Sequence, residues 1–216
     1  MQIIIKVLLI IFAYLLGSIP SSVWIGKYFY GKDVRDFGSG NAGATNTFRV
    51  LGVKAGIAVF IIDIAKGFFA VSLVHLTDYY IPKSGDFINY QLLLGIAAFI
   101  GHVFPVYAQF RGGKGVATLS GVVLAIHPEV AGIIALIFAI TLISTKYVSL
   151  SSMVSGFSFP ILIIVVFKTT TPSLIIFSLI TAIVLLFTHQ KNIERLLKKE
   201  ESKANLKLKR KKKEEH

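Results

Sequence analysis

The sequence predicts an all-α integral membrane protein of seven transmembrane helices, with the N-terminus outside and the C-terminus cytoplasmic. Three observations predict it. The apolar residues stand in long runs, not in the periodic stripes of soluble helices. Hydrophobic residues make up 54% of the 216-residue chain and charged residues only 16%, with a mean hydropathy of +0.72, far from the soluble average. The basic residues between the runs alternate in density from one loop to the next, and such alternation sets orientation in a membrane.

A helix crosses the bilayer with about 20 mostly apolar residues, and about 17 is the practical minimum. The first span is 3–24. Its run from Ile3 to Leu16 is interrupted only by Lys6, and Gly17-Ser18-Ile19-Pro20 follows. No small-x-small cleavage site precedes a polar region, and hydrophobicity resumes through Trp24 and Ile25, so this is a retained span, not a signal peptide. Residues 55–77 and 91–107 form the second and third spans. Segment 116–127 is apolar but short; counting it gives seven crossings and omitting it gives six. Residues 130–145, 148–167 and 172–189 complete the set, and Glu129, after His127-Pro128, marks an outer helix start.

Charge decides between six and seven. With seven crossings the inner segments are 25–54, 108–115, about 146–151 and everything from 190; they hold five, two, one and eleven Lys or Arg. The outer segments keep Lys6, Lys83 and Lys168, and nineteen against three is a strong inside bias. Six crossings would scatter the polar motifs over both sides. A loop that dips into the membrane ahead of 116–127 accounts for the shortness of that span. Residues 1–197 thus make one transmembrane domain, and 198–216 a basic cytoplasmic tail. The net charge of +12 does not point to nucleic acid, because eleven of the 23 basic residues lie in 190–216, beside a span, where such a run meets anionic lipid headgroups. The chain has no cysteine, which excludes disulfides and thiolate metal sites.

Two polar islands interrupt this pattern on the inner side. Gly38-Ser39-Gly40-Asn41-Ala42-Gly43-Ala44-Thr45-Asn46-Thr47-Phe48-Arg49 combines backbone freedom, short donors and acceptors, and a guanidinium fork suited to phosphate or carboxylate. Arg111-Gly112-Gly113-Lys114-Gly115 resembles a phosphate loop but fails the nucleotide pattern: Ala108 stands where the first Gly belongs, and Gly115 where Ser or Thr follows the Lys. What remains is a backbone nest, the Lys114 charge and a helix starting at Val116 whose N–H groups favour an anion. Asp63 and Lys66 lie three residues apart within the second span and form an ion pair facing the bundle; no third ionisable residue extends a path from them. His102, inside the third span, makes an interhelical hydrogen bond. His189, Asn192 and Arg195 share one helical face where the last span meets the cytoplasm, and His189 has the chemistry of a general base or donor. Metal catalysis has no support: there is no HExxH, no paired His and no carboxylate cluster at the site.

Taken in order, Gly17-Ser18-Ile19-Pro20, the first island through Arg49, Asp63-Ile64-Ala65-Lys66-Gly67, Gly101-His102-Val103-Phe104-Pro105, Phe110 to Thr118, Lys146-Tyr147-Val148-Ser149-Leu150-Ser151-Ser152 and His189 to Leu196 closely resemble the bacterial membrane acyl-phosphate:glycerol-3-phosphate acyltransferases, the PlsY family. The resemblance runs from the first span to about Leu197. It implies transfer of a fatty acyl group from acyl phosphate to the sn-1 hydroxyl of glycerol 3-phosphate at the bacterial cytoplasmic membrane, giving 1-acyl-glycerol 3-phosphate and phosphate, with no cofactor and no metal. It implies catalytic roles for Ser39, Arg49, Lys114, His189 and Asn192. Asn41, Gly43, Thr45, Asn46, Gly112, Gly113, Gly115, Ser151 and Ser152 are expected to bind substrate. The chain departs from the family at Lys199, near where the family often has Gly, followed closely by a Glu that is Glu201 here. The alternative is a transporter of glycerol 3-phosphate or phosphate; one-sided motifs and the lack of an internal repeat weigh against it.

Overall fold

A computed structural model describes residues 2–77 and 84–204. Lys83, which the charge count places outside, and the basic run within 205–216 lie outside the described residues. Every regular element among the described residues is helical. The helices are α1 (Gln2–Gly17), α2 (Ser21–Tyr30), α3 (Ala44–Leu51), α4 (Val53–Ser72), α5 (Gly85–Val103), α6 (Val116–Ile126), α7 (Pro128–Thr145), α8 (Val148–Ile161), α9 (Pro172–Thr188) and α10 (Gln190–Leu197).

Two of the expected spans are bent pairs. The run 3–24 breaks at Ser18-Ile19-Pro20, and α2 leaves α1 at 43°. Pro20 has no N–H to continue the ladder, and its ring crowds the preceding turn. The helix then runs six residues past the expected end, to Tyr30, carrying exposed Trp24, Tyr28, Phe29 and Tyr30, the aromatic residues favoured at a membrane–water boundary. The last span bends by 62° at His189 into α10. By contrast α5 starts at Gly85, six residues before the expected 91. The Ser84 hydroxyl accepts the Phe87 N–H at 3.3 Å, and Asp86 sits in the first turn, so cap and dipole carry the helix through polar residues that hydropathy reads as loop.

Four helices are long and apolar enough to cross a membrane, Val53–Leu76, Gly85–Ala108, Pro128–Thr145 and Val148–Val166, and the bent pairs raise the number to six. Helix α6, with 11 residues, is shorter, as expected for segment 116–127. It sits at the centre of the packing, chiefly against α4. A Cβ at Gly67 would collide with the Thr118 carbonyl and one at Gly121 with the Ile64 carbonyl, so these two glycines let the backbones touch, as small residues do between membrane helices. Around this contact Val71, Leu92, Leu119, Val122, Val130, Phe159, Ile163 and Phe177 form one core cluster. A second, Ala13, Ala70, Leu94 and Ala98 among them, joins α1 to α5 and α4. Large apolar side chains such as Ile61, Phe69, Leu136, Ile143 and Ile180 remain exposed on the outer faces, the arrangement of a bundle whose solvent is lipid.

Candidate active site

The first island folds as a loop into the short helix α3, and Asn46 is its brace. Its side chain is buried, with Oδ1 accepting the Ser39 N–H at 2.9 Å and Nδ2 donating to the carbonyls of Val34 at 2.7 Å and Phe37 at 3.1 Å. A buried amide with its donors and acceptor engaged fixes the loop and leaves Ser39 standing exposed, its hydroxyl without a hydrogen-bond partner among the described residues. Gly43 starts α3, its carbonyl accepting both the N–H and the hydroxyl of Thr47 at 3.1 Å. Asn41 is half-buried just before it, and Thr45 is exposed in the first turn. Arg49, one helix length further on, is exposed and donates to the Ser202 hydroxyl.

The second island differs from the expected open nest. The Gly112 N–H donates to the Val103 carbonyl and the Gly113 N–H to the His102 carbonyl, both at 3.2 Å. These amides complete the C-terminus of α5, whose last carbonyls lack intrahelical donors, and are not free for an anion. Glycine is needed here for a different reason: a Cβ at Gly113 would overlap His102 Nε2 and lie 2.8 Å from the Ala42 carbonyl of the first island. The two islands are thus pressed together. The groups here whose chemistry suits an anion are instead the Lys114 ammonium and the first turn of α6, entered through Gly115 at φ 80°, where the leading N–H groups have no intrahelical acceptor.

Lys114 reaches across to α10. Its Nζ donates to Asn192 Oδ1, while Asn192 Nδ2 donates to Glu201 Oε1 at 2.7 Å. The same carboxylate accepts the Ser149 hydroxyl at 2.8 Å and Arg195 Nε at 2.7 Å. Burial raises the Glu201 pKa, but the hydrogen bonds from Arg195, Asn192 and Ser149 outweigh it and hold the group below the usual glutamate range. Burial pushes Lys114 down to about 8; Glu201 opposes that, and Arg195 and Arg49 add to it. His189 is buried, with Nδ1 2.8 Å from the Leu185 carbonyl. A carbonyl only accepts, so Nδ1 carries the proton in the neutral ring and Nε2 is left as the acceptor.

The sequence reading missed Glu201 as the hub, and with it Ser149 and Ser202. The chain passes Leu197 and turns at Lys199 with φ 60°, taking the left-handed conformation that glycine ordinarily supplies. It then lies back on the bundle, the Ala204 N–H donating to the Lys146 carbonyl at 2.7 Å. The domain boundary expected after 197 therefore falls inside a bonded segment. Ser151 and Ser152 make no side-chain hydrogen bond to this cluster among the described residues: their buried hydroxyls donate to the Tyr147 and Val148 carbonyls one turn back, at 2.8 and 2.9 Å.

Below the islands Asp63 and Lys66 pair at 2.9 Å as expected. The expectation that no third ionisable residue joins them is corrected, since His102 Nδ1 lies 3.8 Å from the Asp63 carboxylate and 3.1 Å from the Thr118 hydroxyl. The second of these is the interhelical bond expected of His102.

A multi-pass helical membrane protein that gathers Arg49, Lys114, His189, Asn192 and Arg195 beside a helix N-terminus is a membrane enzyme, or carrier, for an anionic ligand. The family model described as glycerol-3-phosphate acyltransferase matches residues 7–199. Glycerol-3-phosphate acyltransferases of Staphylococcus carnosus and Enterococcus faecalis are 48% and 46% identical, the alignments covering 91% and 95% of this chain and 96% and 95% of theirs. The chain is also similar to crystal structures of PlsY (YgiH), an integral membrane glycerol 3-phosphate acyltransferase. Its glycerol 3-phosphate form matches with a TM-score of 0.81 at 37% identity, over 93% of this chain and 96% of that one. The lysophosphatidic acid form matches with a TM-score of 0.77 at 36% identity, over 93% and 95%. The chain belongs to the glycerol-3-phosphate acyltransferase family.

Proposed function

We propose that this glycerol-3-phosphate acyltransferase takes its acyl group from acyl phosphate and passes it directly to the sn-1 hydroxyl of glycerol 3-phosphate, with no acyl-enzyme. The hydroxyl oxygen attacks the acyl carbonyl carbon, the carbon–oxygen bond to phosphate breaks, and phosphate leaves as 1-acyl-glycerol 3-phosphate forms. The hydroxyl proton passes to Nε2 of His189 or to an oxygen of the leaving phosphate. One observation carries the reading: the Ser39 hydroxyl has no base or other hydrogen-bond partner among the described residues, whereas covalent catalysis normally requires a nucleophile beside a base. An acyl phosphate is already activated, so positioning and charge neutralisation suffice. In this reading Lys114, Arg49 and the first turn of α6 hold the phosphates, Asn192 orients Lys114, and Ser39 with Asn41, Gly43 and Thr45 lines the approach of the glycerol moiety. Asn46, Gly112, Gly113 and Gly115 act by shaping the loops.

The reading extends to topology: seven crossings with α6 as the short one, the N-terminus outside, and the site facing the cytoplasm at the bacterial plasma membrane. The inside bias of nineteen basic residues to three supports it. A rapid-quench experiment with labelled acyl phosphate alone tests the chemistry. Denatured protein should carry no label, and acyl-CoA should not replace acyl phosphate. An acyl ester recovered at Ser39, or comparable kcat/KM with acyl-CoA, refutes direct transfer from acyl phosphate.

A further inference from the structure

The Gly112–Lys114 stretch has no helix of its own, yet Lys114 must stand at one height to meet Asn192. What fixes that height lies beneath it. Gly113 rests on the His102 imidazole so closely that a Cβ would overlap Nε2, and its N–H donates to the His102 carbonyl at 3.2 Å. The imidazole is 5% exposed and is held on its other edge by Thr118 at 3.1 Å, with Asp63 at 3.8 Å. Asp63 accepts the Ser21 hydroxyl at 2.8 Å and Lys66 at 2.9 Å, and Lys66 donates to the Ile19 carbonyl at 3.0 Å, at the break between α1 and α2. Four elements are thus tied together under one glycine loop. A small cavity beside the pair is lined by Ser21, Asp63, Lys66 and His102, and also by Ala42 and Gly112 from the two islands.

Charges inside a membrane bundle are expensive, and apolar side chains would fill the same space at less cost. The acyl transfer proposed above uses none of them. Their directional bonds do what apolar packing cannot, fixing one orientation of one ring.

We propose that His102 is a positioning residue of the acyltransfer site: a platform for the glycine loop, oriented by the Asp63–Lys66 pair, that sets Lys114 opposite Asn192. The inference rests on the reading of Lys114 as a phosphate-binding group.

The test compares His102→Asn, His102→Gln and the double variant Asp63→Asn/Lys66→Met in purified full-length protein, with Lys114→Ala as control. The readouts are KM for glycerol 3-phosphate, the inhibition constant of inorganic phosphate, kcat and thermal midpoint. Asparagine places its amide where Nδ1 was and leaves Gly113 unsupported; glutamine reaches the place of Nε2. His102→Asn should raise KM and the phosphate constant together by about tenfold, less than the roughly hundredfold that a 1 Å misplacement can cause. His102→Gln should recover most of that, and the double variant should show the same rise at smaller amplitude. A role in packing alone predicts fewer active molecules, hence lower apparent kcat at unchanged KM and phosphate constant, and that result overturns the proposal. If neither histidine variant folds, an unmoved KM in the double variant overturns it. If Lys114→Ala changes neither constant, the underlying site reading fails; if it changes both while His102→Asn changes neither, only the platform fails.

Discussion

Replacing Glu201 by Gln probes the hub of the site with almost no change of shape. The carboxylate accepts from Ser149 and Asn192 on Oε1 and from Arg195 on Oε2. In its best orientation the amide keeps its oxygen toward Ser149 and Asn192 and turns its NH2 toward Arg195 Nε, donor against donor. One charge-assisted bond is lost at a buried position, a loss of about 2 kcal/mol. Glu201 is held below the ordinary glutamate value of 4.5 in the folded protein. Its contribution is therefore complete above that pH and lost only at more acidic pH, so the whole of it is removed near neutrality. The catalytic consequence runs through Lys114. With Glu201 neutral, burial, Arg195 and Arg49 all push the ammonium the same way, and its pKa falls below the present value of about 8. Lys114 is charged below its pKa, so the alkaline decline of kcat/KM for glycerol 3-phosphate, which reports the free enzyme, should shift toward lower pH by roughly one unit, equivalent to about 1.4 kcal/mol. Phosphate release from acyl phosphate, followed across the neutral and alkaline range, measures it. An alkaline limb that does not move, in a variant that folds, refutes the electrostatic coupling.

Arg49→Lys should lower kcat/KM roughly 30-fold, about 2 kcal/mol, because a point charge cannot replace a bidentate fork; near-normal turnover would reduce Arg49 to a headgroup contact. Gly113→Ala should lose thermal stability by about 2 kcal/mol through overpacking against His102 and Ala42, and activity should fall with it; unchanged melting and turnover would contradict the close approach. Cysteines placed singly at Ser84 and Lys203 of this cysteine-free chain test topology: an impermeant thiol reagent outside intact cells should label the first and spare the second. Labelling at 203 would reverse the orientation or change the crossing number.

Local spacing made part of this architecture legible. Asp63 and Lys66 are one turn apart on one helix, so their pairing follows from sequence. The start of α6 was readable because Gly115 changes the pattern from polar loop to apolar run. Contacts between distant segments were not readable. His102 reaches Asp63 only because α4 and α5 pack side by side, which no local pattern encodes. Glu201 stands among lysines and reads as part of a solvated tail; its partners Ser149 and Asn192 become neighbours only when the chain turns back at Lys199. The Gly112 and Gly113 amides read as ligand donors because glycine-rich loops suit anions, while the last carbonyls of α5 are the nearer acceptors. Pro20 stands inside the run 3–24, yet the hydrophobicity on both sides conceals a bent pair within one apolar run.

The return of residues 201–204 onto the bundle bears on how the enzyme comes into being. Membrane helices enter the bilayer from the N-terminus as the ribosome proceeds, so the segment that closes the site is the last to arrive. A chain released after Leu197 should contain all its crossings and still lack the carboxylate that joins Ser149, Asn192 and Arg195. Activity should therefore begin abruptly in released chains long enough to include Ala204. Chains clipped just before it should be inserted but silent, which a series of truncations ending at successive positions would show as a step rather than a ramp.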